Sequence, residues 1–319
     1  MQQSPLVSVL MPVYNGERFV AEAIQSVLNQ TYQNFELMVC NDGSNDDTDR
    51  VIQSFVDKRI QTLNHSQRLG IPATRNELLN KAKGEFVAWL DADDFSLPQR
   101  LQKQVEFLSH NAEFSACFTD VKIVDKKSSK YIQLPNQPLL FKNLLFYKQP
   151  FFFSSCMARR YADIGFAPNL KRTQDFGYIW ELAHKGSLGI VQQTLTVHKL
   201  IDSDAKPDFA NGEIESIDTQ VKKLEDIGVQ FDKVQVVALN KFLRDIRACN
   251  KNEANLALAL MQKVYLSNEL LKQGLNKQYL KAIYVYYVLK SVYFHSIGHL
   301  FKLRFAPLQL IITLIRMRM

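Results

Sequence analysis

VSVLMPVYNGERFVAEAIQSVLNQTYQNFELMVCNDGSNDDT, residues 7–48, holds a strand, a helix, a second strand and two polar turns. Residues 7–13 are a short apolar run. Residues 17–30 place Phe19, Val20, Ala23, Ile24, Val27 and Leu28 at the spacing of one helical face. Residues 35–40 are a second apolar run. Strands covered on both faces read as continuous apolar runs of this kind, as in parallel sheets.

The alternation continues outward. Residues 46–56 open with acids and continue as a helix, 60–65 form a third strand, and 72–82 form a helix with Pro72 at its first turn. Residues 85–90 form a fourth strand and 97–110 a further helix. This predicts a doubly wound α/β fold with a mostly parallel sheet. From 114 the pattern is mixed: strands at 114–125, 154–160 and 188–200, a loop at 128–138 and a helix at 174–186. Four helices are predicted over 213–227, 232–248, 252–273 and 276–300. The 319 residues therefore divide into an α/β domain at 1–205, with halves 1–110 and 111–205, and a helical region at 206–319.

Composition narrows the class. At 46% hydrophobic residues the chain can bury a core, and its net charge is +7. Six cations, Lys281, Lys290, Lys302, Arg304, Arg316 and Arg318, fall within 281–319, which has no acid. The remainder is nearly neutral, which argues against a general nucleic-acid partner. Cys40, Cys117, Cys156 and Cys249 form no CxxC and fit a reducing compartment. The N-terminus has neither a basic leader region nor a small-residue cleavage site, and reads as the start of the fold. No apolar run reaches the ~18 residues of a membrane-spanning helix. The tail 279–319 is apolar, aromatic and basic. It suits an interfacial helix on an anionic membrane, or core helices packed on another surface.

Three polar clusters follow three of the strands: PVYNGE at 12–17, NDGSND at 41–46 and DADD at 91–94. In a parallel sheet such ends share one edge, where ligands bind. Alternate residues of an extended segment point the same way, so Asp91 and Asp93 can face one site. Two carboxylates held together call for a hard cation such as Mg²⁺ or Mn²⁺, completed by substrate phosphates. The plainer alternative is an acid cluster before a helix. NDGS reads as a turn, or as a turn whose Asp42 accepts hydrogen bonds from a nucleobase or ribose. No GxGxxG follows the first strand, which disfavours a dinucleotide fold of the Rossmann type, and no P-loop is present.

Residues 7–48 together with RLGIPATRNELLNKAKGEFVAWLDADD (68–94) resemble the family 2 glycosyltransferases of the GT-A fold. Order and spacing match over about 6–110 and more weakly to about 200; no motif covers residues beyond about 215. The resemblance implies that 1–110 binds a nucleotide sugar and that 111–205 binds the acceptor. Pro12, Tyr14 and Glu17 would line the nucleotide pocket, and Asp42 would contact uracil. Asn41 stands where many relatives have a second Asp. Arg75 and Asn76 would lie near the donor phosphates and sugar. Asp91 and Ala92 would lie on the donor side, and Asp93 would ligate Mn²⁺ or Mg²⁺.

In RTQDFGYIWELAHKG (172–186), Asp175 matches the catalytic base that deprotonates the acceptor hydroxyl. Gln174, Gly177 and Glu181 depart from the usual Glu, Asp and Arg, which puts acceptor preference in doubt. Trp180 reads either as a platform for an acceptor sugar or as a core residue, and His198 either as a third metal ligand or as structural. The implied activity is inverting transfer from a UDP-sugar to a glycan hydroxyl, in lipopolysaccharide, O-antigen or capsule synthesis. A polyprenyl phosphate acceptor and a catalytically silent nucleotide- or glycan-binding protein are the alternatives. The implied place is the cytoplasm, peripheral on the inner membrane through 279–319 for a lipid-linked acceptor, and a homodimer is admitted.

Overall fold

The computed structural model describes residues 4–147, 150–168, 173–200, 209–267, 270 and 275–295. In chain order the elements are β1 (Val7–Val13), α1 (Val20–Leu28), β2 (Phe35–Asn41), α2 (Thr48–Gln53), β3 (Ile60–Asn64), α3 (Ile71–Lys81), β4 (Phe86–Trp89), β5 (Phe95–Ser96), α4 (Arg100–His110), β6 (Phe114–Val124), β7 (Ser129–Ile132), α5 (Pro138–Tyr147), β8 (Met157–Arg159), α6 (Gln174–Lys185), β9 (Ser187–Lys199), α7 (Phe209–Asp226), α8 (Lys233–Arg244), α9 (Lys251–Leu266) and α10 (Lys277–His295). They form two compact units. One comprises Met1–Asn136 and Phe151–Lys206; the other comprises Gln137–Pro150 and Pro207–Met319.

The first unit is the expected α/β fold. Its sheet runs β3-β2-β1-β4-β8-β6-β9-β5, with β7 added on β6. β1 pairs in parallel with β2 and β4, opposing Val7 to both Phe35 and Phe86, and β2 pairs in parallel with β3. β8 runs antiparallel to β4 and to β6, so β6 and its parallel partner β9 run in the direction of β1–β4. The ends of β1, β2, β3, β4 and β9 therefore share one edge. Val9, Met11, Leu37, Val39, Phe86 and Ala88 are at most 1% exposed, as are Ile24, Val27, Leu101 and Leu108 on the covering helices. Each of these side chains larger than alanine contributes on the order of 1.5–3 kcal/mol when fully buried.

Arg100 ties the middle of this sheet together. It is fully buried, and its guanidinium donates to Trp89 O (2.9 Å), Cys156 O (3.1 Å), Ser96 Oγ (2.9 Å) and Gln104 Oε1 (3.1 Å). Burial lowers its pKa to about 10, which leaves it charged at neutral pH. The fixed fork of an arginine bonds carbonyls from two chain segments at once: Trp89 O, and Cys156 O, which also accepts from Trp89 N–H at 3.0 Å.

Two segments differ from the sequence reading. The predicted loop at 128–138 contains β7, which pairs with β6 from Ser129 to Ile132. Its side chains are mostly exposed, so no apolar alternation marks it. The helix α5 was not predicted. PLLFKNLLFY is apolar almost without a break and is buried from Leu140 to Tyr147 except at Lys142, and such a run has no one-faced period to read.

The second unit is helical. α8 packs on α7 and α9, and α10 packs on α9 and α5. Asp232 and Asn250 close capping boxes at the starts of α8 and α9. The basic tail is corrected here. Ala282, Ile283, Tyr284, Val285, Tyr286 and Tyr287 are all buried, and Tyr284 and Tyr287 lie against Tyr265 and Phe242. This part of the expected membrane face is therefore core. The remainder of that reading, 296–319, lies outside the described residues. Among the described residues, no helix is long and apolar enough to cross a membrane.

Replacing Arg100 by Ala should cost about 3 kcal/mol or more, from the cavity and the carbonyls left without donors. Urea denaturation should show the shift in midpoint, and a loss below about 1 kcal/mol would refute the cross-link role.

Candidate active site

The loops after β1 and β2 are laced together. Asn15 takes a left-handed φ of 51°. Its N–H donates to Ser44 Oγ (2.9 Å) and its side-chain oxygen accepts from Asn45 N–H (3.1 Å). Gly16 N–H donates to Thr48 Oγ1 (2.8 Å), and Glu17 accepts from Asp47 N–H (2.9 Å). Glu17, expected in the nucleotide pocket, thus braces this lacing. Pro12 is buried within β1, opposite Cys40. Tyr14 is exposed, and the Arg68 guanidinium lies 4.0 Å above its ring. Gly43 sits at φ +67°, and a Cβ there would come within 2.6 Å of the backbone at Gln67 and Arg68. Only glycine lets the two loops approach this closely.

Asp42 is 4% exposed. One carboxylate oxygen accepts from Leu69 N–H and His65 Nδ1, both at 2.8 Å; the other accepts from Gly70 N–H at 2.9 Å. The Thr74 side chain also hydrogen-bonds this carboxylate, so its roughly four acceptor positions are met within the protein. Burial raises the pKa of Asp42, but the hydrogen bonds from His65, Leu69 and Gly70 outweigh it and hold the pKa below the usual value. His65 was missed by sequence reasoning. Its Nε2 meets Glu77 at 2.7 Å, so the ring lies between two carboxylates. Burial alone would lower the pKa of His65; the hydrogen bonds to Asp42 and Glu77 raise it above the ordinary value.

The acids after β4 form the centre of the site. Asp94, which the sequence marked only as part of DADD, is 2% exposed. It accepts from His198 Nδ1 (2.9 Å) and Lys199 N–H (3.0 Å) at the end of β9. The hydrogen bond and charge of Asp94 raise the pKa of His198. Asp91 pairs with Arg75 (2.8 Å), and its N–H donates to Ser154 Oγ (3.1 Å). Asp93 has no such ion pair among the described residues: burial, with Asp91 and Asp94 beside it, pushes its carboxyl up to about 7. Ala92 packs into the core beneath.

Arg75 also reaches across to α6, donating to Gln174 Oε1 (3.2 Å), next to Asp175. Asp175 lies in the first turn of α6, where a negative charge is favourable, and accepts from Phe176 N–H (2.8 Å). Asn76 bonds the backbone of Phe166. Trp180 is 4% exposed and edge-on to His184, so of its two readings the structure takes the core one. The expected residues thus gather at one edge, around Asp42 and around Asp91–Asp94. The signal for the missed Asp94–His198 pair was an unexplained third acid and an unexplained strand-end histidine.

Residues 8–165 match the family model described as glycosyl transferase family 2. The Escherichia coli UDP-Glc:alpha-D-GlcNAc-diphosphoundecaprenol beta-1,3-glucosyltransferase WfgD is 38% identical over 39% of this chain and 48% of its own length. The aligned stretch thus spans about half of that relative. An uncharacterized glycosyltransferase of Haemophilus influenzae is 28% identical over 88% of this chain and 87% of its own. Among solved structures, S. aureus TarS in complex with UDP-GlcNAc superposes with a TM-score of 0.60 at 16% identity, covering 90% of this chain and 88% of that one. That likeness shows the GT-A fold.

Because the Asp93 carboxyl titrates near 7 in the fold and near 3.8 when unfolded, the folded state loses stability as pH rises from about 4 through 7. In EDTA, Asp93→Asn should be more stable than the parent at pH 8, by on the order of 2 kcal/mol, with the gain gone at pH 4. Equal stability at both pH values in urea titrations would refute the uncompensated charge. His65 has the opposite consequence. Its stabilisation is full below about 6.5 and is lost as pH rises through its raised folded value. His65→Gln should therefore destabilise more at pH 6 than at pH 9, by about 1–3 kcal/mol at the lower pH; a penalty independent of pH would contradict the paired imidazolium.

Proposed function

The chain belongs to family 2 of the glycosyltransferases through residues 8–165, and from that premise we propose that it transfers a sugar from a UDP-sugar to a hydroxyl of a glycan acceptor, with inversion. One observation carries the reading: Asp91, Asp93 and Asp94 stand together at the carboxyl edge of the parallel sheet, and burial with the two neighbouring acids outweighs the charge of His198 at Asp93.

The same observation tests the fit of a divalent ion. Asp91 and Asp94 are each paired within the protein, while Asp93 remains half-buried with a raised pKa. Oxygen ligands of this kind suit Mn²⁺ or Mg²⁺. Asp93 would hold the ion, with His198 presenting Nε2 because Nδ1 is bonded to Asp94. When bound, the ion supplies positive charge to the leaving nucleoside diphosphate.

The chain's own residues do the rest. Asp42 contacts the nucleobase, as the resemblance implies for uracil, and Tyr14 lines that pocket. Asp175 takes the proton of the acceptor hydroxyl on a carboxylate oxygen as that hydroxyl attacks the anomeric carbon from the face opposite the diphosphate. Charge at that carbon is oxocarbenium-like by analogy with glycoside chemistry. WfgD is named for a diphosphoundecaprenol-linked acceptor, and we assign a lipid-linked glycan of surface-polysaccharide assembly to this chain on that basis. A lipid-linked acceptor places the reaction at a membrane surface. Lys302, Arg304, Arg316 and Arg318, in a segment without acids, have the chemistry to meet an anionic leaflet.

The purified protein with Mn²⁺ should turn over one donor from a panel of UDP-, GDP- and dTDP-sugars. Asp93→Ala should lower that turnover at least 100-fold, and Asp175→Asn should abolish transfer while nucleotide binding persists. Calorimetry in which no nucleoside diphosphate binds the parent protein would overturn the reading.

A further inference from the structure

We propose that Arg75 and Asn76 are positioning residues that register the donor acid Asp91 against the base-bearing helix α6, and that they do not grip the donor themselves. This inference rests on the glycosyltransferase reading above. The resemblance placed both residues near the donor phosphates. A guanidinium that clamps a diphosphate presents two parallel N–H groups to it from an open side. Arg75 is only 4% exposed and is walled by Phe153 (4.3 Å), Phe166 (5.5 Å) and Trp89 (5.8 Å). One terminal nitrogen is bonded to Asp91 at 2.8 Å and the other to Gln174 at 3.2 Å. Its Nε is buried without a hydrogen-bond partner. The fork therefore spans two protein groups from different elements.

Asn76 supplies a second route to the same helix. Its amide nitrogen donates to Phe166 O at 2.8 Å, and its amide oxygen accepts from Phe166 N–H at 2.7 Å. The Phe166 ring lies flat on Tyr178 of α6, with centroids 4.6 Å apart and planes 9° apart. A Cβ on Gly165 would come 2.9 Å from the Asn76 oxygen, so the chain at this contact is held closely. Two consecutive residues of α3 thus fix the N-terminal turns of α6, one through Gln174 and one through Tyr178.

Gln174 decides where the charge of Arg75 is spent. A neutral amide takes a hydrogen bond and leaves the full positive charge to Asp91. A glutamate, as the resemblance would have here, would set a second carboxylate on the same guanidinium. Asp91 would then hold its partner less tightly, and the spacing between Asp91 and Asp175 would change. A misplacement of about 1 Å costs on the order of 100-fold in rate.

The test compares the full-length parent with Arg75→Met, Arg75→Lys, Asp91→Asn, Gln174→Glu and the pair Arg75→Met/Asp91→Asn. UDP, GDP and dTDP affinities are measured by calorimetry with Mn²⁺, and kcat and KM with the donor that the parent uses. Registration predicts that Arg75→Met leaves the affinity for the bound nucleotide within about threefold and lowers kcat about 100-fold. Arg75→Lys should recover little, because an ammonium cannot span both partners. The double variant should be no slower than Asp91→Asn alone, since the two residues act as one unit. A tenfold or greater loss of nucleotide affinity in Arg75→Met, or rate losses that multiply in the double variant, would show direct donor contact and overturn the proposal. Should Arg75→Met fail to fold, Gln174→Glu decides: registration predicts a several-fold fall in kcat at unchanged nucleotide affinity, and an unchanged kcat overturns it. A parent that binds no nucleotide and turns over no donor would remove the underlying reading, and this inference with it, whereas an active parent isolates the outcome to Arg75.

Discussion

Three carboxylates within four residues at the end of a buried strand repel one another, and the surrounding structure is arranged to offset that repulsion. Two unit charges 4 Å apart near a protein surface interact by about 4 kcal/mol, so the cluster persists only with counter-charges fixed beside it. Asp94 is met by His198 and the Lys199 N–H, which brings the end of β9 to the end of β4. Asp91 is met by Arg75, which brings α3 and, through Gln174, α6 to the same place. Asp93 is left beside two paired acids, and burial with those neighbours raises its pKa. The two charge pairings serve packing and chemistry together.

The nucleotide side of the site follows a different logic. There the constraint is close approach of backbones. The turn at Gly43 touches the chain at Gln67 and Arg68, and the loop ahead of α3 is clamped onto Asp42 by two of its own N–H groups. Such a clamp leaves little conformational freedom to lose when a ligand binds beside it. His65 holds the clamp from behind, with Glu77 as its second support.

The parts that were legible in the sequence share a cause. Strands covered on both faces have to be apolar throughout, so β1 was readable to the residue and β2 and β4 to within a residue or so. Acids that follow such a run stand out because nothing in a core accounts for them. Illegible features depended on contacts made in three dimensions. Sequence spacing could not say that Arg75 faces Asp91 within an aromatic box, or that Trp180 turns inward. The same limit governed the tail. An apolar, tyrosine-rich helix suits a lipid interface or a protein core equally well, and Ala282–Tyr287 is buried among α5 and α9 partners in the second unit. β7 escaped notice because its side chains are mostly exposed and its backbone pairing with β6 leaves no mark on side-chain pattern.

The pairing of Asp94 with His198 joins positions 104 residues apart. On the ribosome, the first half of the sheet therefore emerges with Arg75 available to Asp91 but with the partner of Asp94 not yet synthesised. Synthesis at about 5–20 residues per second leaves Asp94 unmatched for several seconds or more, while β9 is awaited. Long-range pairings of this kind also slow folding, because the loop must close before the contact can form. The order of translation thus makes β9 the step that completes the pairing of the cluster, and a chain truncated before β9 would keep Asp94 without the groups that hold it.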